Sequence, residues 1–67
     1  MNRKDTIVEV ADEARTDQVL LPDYNELDLY ELVEDCTGFN LSDVERRLVV
    51  VAFEVDAATA KKSFWYS

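Results

Sequence analysis

Leu48-Val49-Val50-Val51-Ala52-Phe53-Glu54-Val55 is the stretch on which the fold turns. Its β-branched valines and Phe53 favour a pleated strand, and a short apolar run has no periodicity to separate a buried strand from a buried helix. The upstream flank tips the balance. Ser42 followed three residues later by Glu45 has the spacing of a capping box, in which the hydroxyl accepts from the backbone of the first turn and the carboxylate reaches back to the cap. Val44, Leu48, Val51 and Val55 then recur at helical intervals. The segment therefore reads as a helix from 43 to at least 54, with those four residues as its buried stripe. A strand over residues 47–55 in a small α+β fold is the alternative. As a helix, the segment is apolar on most of its circumference, because Val49, Val50 and Phe53 lie outside the stripe. Such a helix is normally central in a core or buried against another chain, so Val49, Val50 and Phe53 are candidates for a homodimer interface. Ala57, Ala58, Ala60, Lys61 and Lys62 are good helix formers, so the element either continues or restarts before Phe64.

Working outward, Gly38 and Pro22 are the strong punctuators and divide the chain into three segments. Asp23 and Glu26 repeat the capping-box spacing, acids cluster where a helix dipole favours them, and Thr37-Gly38 supplies a stop, with Phe39 placed to fold back over the last turn. A helix over 24–37 follows. In the first segment Thr6 and Glu9 have the same spacing, and Ile7, Val10, Ala11 and Ala14 recur helically, giving a helix over 7–15. A strand over 6–10 competes there through Thr6, Ile7 and Val8. Val19, Leu20 and Leu21 in the connector need a place to pack. Residues 1–67 are thus expected to form a single, mostly α, small three-helix domain.

Composition narrows the chemistry. The chain has 67 residues, fifteen Asp plus Glu, seven Lys plus Arg, no His, one Cys and one Gly, for a net charge of -8. A chain this short buries only about 60% of the surface its unfolded form exposes, so stability is expected to be marginal. Without His the sequence lacks the usual general base near neutral pH, and a single thiol cannot build a structural zinc site. One glycine excludes phosphate-cradling loops. Asp23, Asn25 and Glu34 match the first, third and twelfth positions of a calcium loop, but Leu27 and Asp28 stand where a ligand and a glycine are needed. Cys36 has no His partner and acidic neighbours, and reads as a buried structural thiol. No catalytic residue, metal or cofactor is expected. The longest apolar run, residues 48–53, is far below the roughly twenty residues of a membrane span and interrupted charge near the start argues against a signal peptide. With an unpaired cysteine, a cytoplasmic location is expected.

The second segment carries the most informative surface. On a helical wheel Leu29, Leu32, Val33 and Cys36 form the core side with Tyr30 at its edge, while Asp28, Glu31, Glu34 and Asp35 occupy the opposite side with Tyr24 and Leu27 among them. Residues 23–35 hold six acids and no base, so like charges three and four apart repel with no local relief. A solvated face is one explanation. A docking surface is the other, in which the carboxylates align a basic partner and Tyr24 and Leu27 anchor it. Charge is uneven along the chain: residues 1–45 hold thirteen acids against three bases, and residues 46–67 two against four. That contrast argues against general salt adaptation. The whole-chain charge of -8 argues against direct nucleic-acid or membrane binding, whereas a rigid row of carboxylates suits a groove lined with Lys and Arg for phosphates. Phe64-Trp65-Tyr66 either close the small core or act as an aromatic anchor for a partner.

Leu41-Ser42-Asp43-Val44-Glu45-Arg46-Arg47-Leu48, with Ala52-Phe53-Glu54, resembles the first helix of the helix-turn-helix domain that ends many bacterial enhancer-binding activators. The resemblance stops before the glycine-containing turn and basic recognition helix, for which residues 55–62 are too short. It implies a helix that contributes mainly to dimerisation. Two functional expectations emerge. The first is a non-enzymatic acidic interaction module that inhibits a target by occupying its basic nucleic-acid-binding surface, in the manner of mobile-element counter-defence. The alternative is a small homodimeric regulator, antitoxin-like or transcription-associated, that dimerises through the third segment.

Overall fold

A computed structural model describes the backbone of residues 3–18 and 23–65, and the side chains of those residues as far as Lys62. Among the described residues four helices follow in order: α1 (Arg3–Thr16), α2 (Glu26–Thr37), α3 (Asp43–Glu54) and α4 (Ala57–Trp65). The mostly α expectation holds, and neither strand alternative forms among the described residues. Residues 19–22 lie outside the described residues, and with them the packing of Val19, Leu20 and Leu21.

Each helix boundary has a local cause. The Ser42 capping box is complete: the Glu45 N–H donates to Ser42 Oγ at 3.3 Å and the Ser42 N–H donates to Glu45 Oε1 at 2.9 Å. Gly38 closes α2 in the left-handed region at φ 77°, and its N–H donates to the Glu34 carbonyl at 2.7 Å. The start of α2 differs from expectation. Asn25, not Asp23, is the cap, its Oδ1 accepting from the Leu27 N–H at 2.9 Å, so the helix begins two residues later than expected. Thr6 and Glu9 likewise do not mark the start of α1, which begins at Arg3 and leaves Thr6 inside the helix. Residues 57–65 restart as a separate helix because Asp56 caps them: its Oδ1 accepts from the Thr59 N–H at 2.6 Å and its carbonyl from the Ala60 N–H at 3.1 Å.

The core joins Ile7, Val8 and Ala11 of α1, Leu29 and Val33 of α2, Leu41 of the connector, Leu48, Val49 and Ala52 of α3, and Ala60 of α4. Each fully buried Leu, Ile or Val contributes about 1.5–3 kcal/mol of transfer free energy. Helix α3 packs against all three other helices, and the described backbones of α2 and α4 do not approach each other closely. That central position changes which residues of α3 are buried. The inward stripe is Glu45, Leu48, Val49 and Ala52, whereas Val44 and Val55 are 53% and 50% exposed and Val51 is half-buried. Three flanking helices absorb part of the apolar circumference that seemed too large for one small domain, and Val44 and Val55 stay at the surface. The same placement removes Val49 from any second chain, since it is fully buried inside the monomer.

One long-range clamp fastens the start of α1 to the α2–α3 connector. Arg3 Nε donates to Glu45 Oε2 at 2.6 Å, its Nη2 donates to the Asn40 carbonyl, and its guanidinium lies 4.5 Å from the Phe39 ring centroid. Glu45 is thereby capping residue and ion-pair partner at once. The Arg3 guanidinium, aided by Ser42, outweighs the opposing effect of burial and holds the Glu45 carboxyl below its ordinary value.

Candidate interaction surface

The outer arc of α2 is set by the burial of Leu29 and Val33 on its inner arc. With 3.6 residues per turn, Leu27, Asp28, Glu31 and Asp35 fall within about 100° of one another on the opposite side, over about 12 Å of helix axis. All four are exposed, and Leu27 is 64% exposed. Among the described residues Asp28, Glu31 and Asp35 enter no ion pair. The two bases of α3 lie beside the flank of α2 that carries Tyr30: the Arg46 guanidinium is 5.3 Å from the Tyr30 ring centroid, and Arg47 lines a cleft with Glu26 and Tyr30.

The other two members of the expected surface serve the fold. Glu34 is half-buried, and its Oε2 accepts from the Leu41 N–H at 3.0 Å, tying the connector to the end of α2. Tyr24 is half-buried with its ring edge-on to Phe53, centroids 4.8 Å apart, and its hydroxyl donates to Glu54 Oε1 at 3.0 Å. Burial, then the Glu54 carboxylate that accepts its proton, push the Tyr24 hydroxyl up to about 12. Tyr30 donates to Glu26 Oε2 at 3.1 Å and is also pushed up, by burial first and Glu26 second, against the pull of Arg46. Both phenols stay protonated through the neutral range and act as donors.

Phe53 is occupied by Tyr24, and half-buried Val50 lines a shallow cleft with Glu26, Tyr30, Asp43 and Arg47. With Val49 inside the core, the three residues expected at a dimer interface form no common exposed face. The side chains of Phe64 and Trp65, and all of Tyr66, lie outside the described residues. Asp23, Asn25 and Glu34 build no calcium loop: Asn25 caps α2 and Glu34 holds the connector, and no group of three or more candidate ligands gathers among the described residues. Among the described residues no helix is long and apolar enough to cross a membrane.

Cys36 is exposed rather than buried, and Leu32 is half-buried. Leu32 lies about 80° from the centre of the inward arc set by Leu29 and Val33, and Cys36 stands in the last turn of α2. Both line a groove of about 290 Å³ with Val10, Glu13, Ala14 and Asp17. Sequence periodicity offered no signal for this groove, because it depends on how α1 and α2 sit together. Comparison with protein-family models, curated proteins and solved structures finds no match to this chain.

Proposed function

We propose that the protein is a non-enzymatic, cytoplasmic interaction module that inhibits a nucleic-acid-binding target by seating the outer arc of α2 on its basic surface. The observation that carries this is the conjunction of Leu27, 64% exposed, with three exposed carboxylates that find no partner among the described residues. Asp28–Glu31 and Glu31–Asp35 are like-charge pairs at helical spacing, each costing about 0.2–0.5 kcal/mol in an isolated helix. A basic groove would turn that cost into attraction, because it is built to neutralise closely spaced phosphates. The carboxylates supply alignment and speed of encounter, and Leu27 supplies the apolar contact. Such a role fits a small counter-defence factor carried by a mobile element. It asks for no cofactor.

The test is capture of proteins from a native lysate on the immobilised chain, followed by elution with duplex DNA or RNA. Nucleic-acid-binding proteins are expected in the eluate, with none captured by the Glu31→Lys/Asp35→Lys variant. Equal capture by that variant, or retention unaffected by nucleic acid, would overturn the proposal. The homodimeric regulator draws less support, since Val49, one of the three residues expected at its interface, is fully buried inside the monomer.

A further inference from the structure

We propose that the groove between α1 and α2 receives an apolar side chain from a basic protein segment, so that the partner is gripped on two flanks of α2 rather than one. This rests on the reading of α2 as a docking element and extends it from charge to shape. Val10, Ala14, Leu32 and Cys36 give the groove an apolar floor, and Glu13 and Asp17 form its rim. Its volume of about 290 Å³ lies at the bottom of the range for small-molecule sites, which suits one or two side chains better than a cofactor.

Charge selects the occupant. Among the described residues both rim side chains, Glu13 and Asp17, are acids, and exposed Asp35 adjoins Cys36 along α2. None of the seven Lys and Arg of the chain lines the groove. Arg15 is two positions from Glu13, hence on another side of α1, where its Nη2 is 3.4 Å from Asp12 Oδ1. Arg3 is bound to Glu45, Arg46 lies over Tyr30, and Lys61 and Lys62 sit on α4, whose described backbone does not approach α2 closely. An apolar slot whose rim, among the described residues, carries the carboxylates of Glu13 and Asp17 is complementary to a leucine-like side chain flanked by Lys or Arg, and repels an acidic or phosphorylated segment.

Cys36 is the only thiol of the chain and lines the slot, so its reaction with a thiol reagent reads occupancy directly. The probe is a short blocked peptide with one leucine flanked on both sides by lysine and arginine, its binding followed in parallel by fluorescence anisotropy. At ten times its Kd this peptide is expected to slow Cys36 modification of the full chain about tenfold, by mass action. Replacing the leucine with serine should remove most of that protection, as should the Glu13→Lys/Asp17→Lys variant, whose changes lie on exposed positions. Equal protection by the leucine and serine peptides would overturn the apolar slot. Binding by anisotropy with unchanged Cys36 reactivity would overturn the groove and leave the outer arc of α2 standing. A thiol already unreactive in the free protein would assign the slot to the chain's own Val19, Leu20 or Leu21 and overturn the proposal as well. Protection that persists in Glu31→Lys/Asp35→Lys, alongside loss of lysate capture, would support both sites as separate contributors.

Discussion

Glu45 and Glu31 carry the same carboxylate on neighbouring helices and do opposite things. Glu45 is buried and satisfied by Ser42 and Arg3, so its charge stabilises the fold. Glu31 is exposed between Asp28 and Asp35 and works against its own helix. The difference is one of partners, not of residue type: acids that serve the fold have been given donors, and acids left without them are available to something outside. Glu34 belongs with Glu45 by this criterion, although its sequence neighbours are the acids of the outer arc.

The contrast is sharpest if the core itself is removed first. Leu48→Ala should cost about 2–5 kcal/mol, comparable with the whole stability of a domain this small, and urea unfolding followed by circular dichroism should show a largely unfolded chain. A folded variant with an unchanged midpoint would mean that α3 is not central.

Glu45→Gln comes next, with an expected loss of about 1–3 kcal/mol, since it weakens the capping box and leaves Arg3 without its counter-charge. Its pH signature separates it from the outer arc. The folded-state value of Glu45 lies below its unfolded value, so the unfolded chain binds more protons and stability rises with pH. That contribution is present above the unfolded value of about 4.3 and is lost as pH falls through the lower folded value. Acid unfolding of Glu45→Gln should therefore show a shallower pH dependence than the parent chain. Parallel profiles would remove the clamp from the account.

Asn25→Ala should cost about 1 kcal/mol through loss of the cap, while Asp23→Ala should change thermal stability by no more than a few tenths. The reverse order would restore Asp23 as the cap. The smallest effect on stability belongs to the outer arc. Glu31→Gln should stabilise the fold by a few tenths of a kcal/mol, and added salt should narrow the difference by screening the repulsion it relieves. A destabilised Glu31→Gln would indicate that the carboxylate has a partner in the fold.

Helix type and several helix ends were legible because they depend on residues close in sequence. Ser42 with Glu45 and Gly38 after Thr37 are such local signals, and they appear in the structure as read. The start of α2 was misplaced because Asp23 and Asn25 are both competent caps, and spacing to Glu26 favoured the wrong one. The fourth helix was half-legible: its composition was seen, but not the cap supplied by Asp56. The outer arc of α2 was readable from its acids and from Leu27, whereas Tyr24 and Glu34 were assigned to it before their bonds to Glu54 and Leu41 could be known.

By itself the sequence determined that this chain is acidic and mostly helical, because composition and short-range hydrogen bonding need no knowledge of distant contacts. Tertiary structure decided which apolar residues of α3 are inside, that Cys36 is outside, and that Arg3 meets Glu45 across 42 positions. Those outcomes depend on where α1 and α4 lie against α3. A helix offers apolar groups on several sides, and only its neighbours select which of them are withdrawn from water.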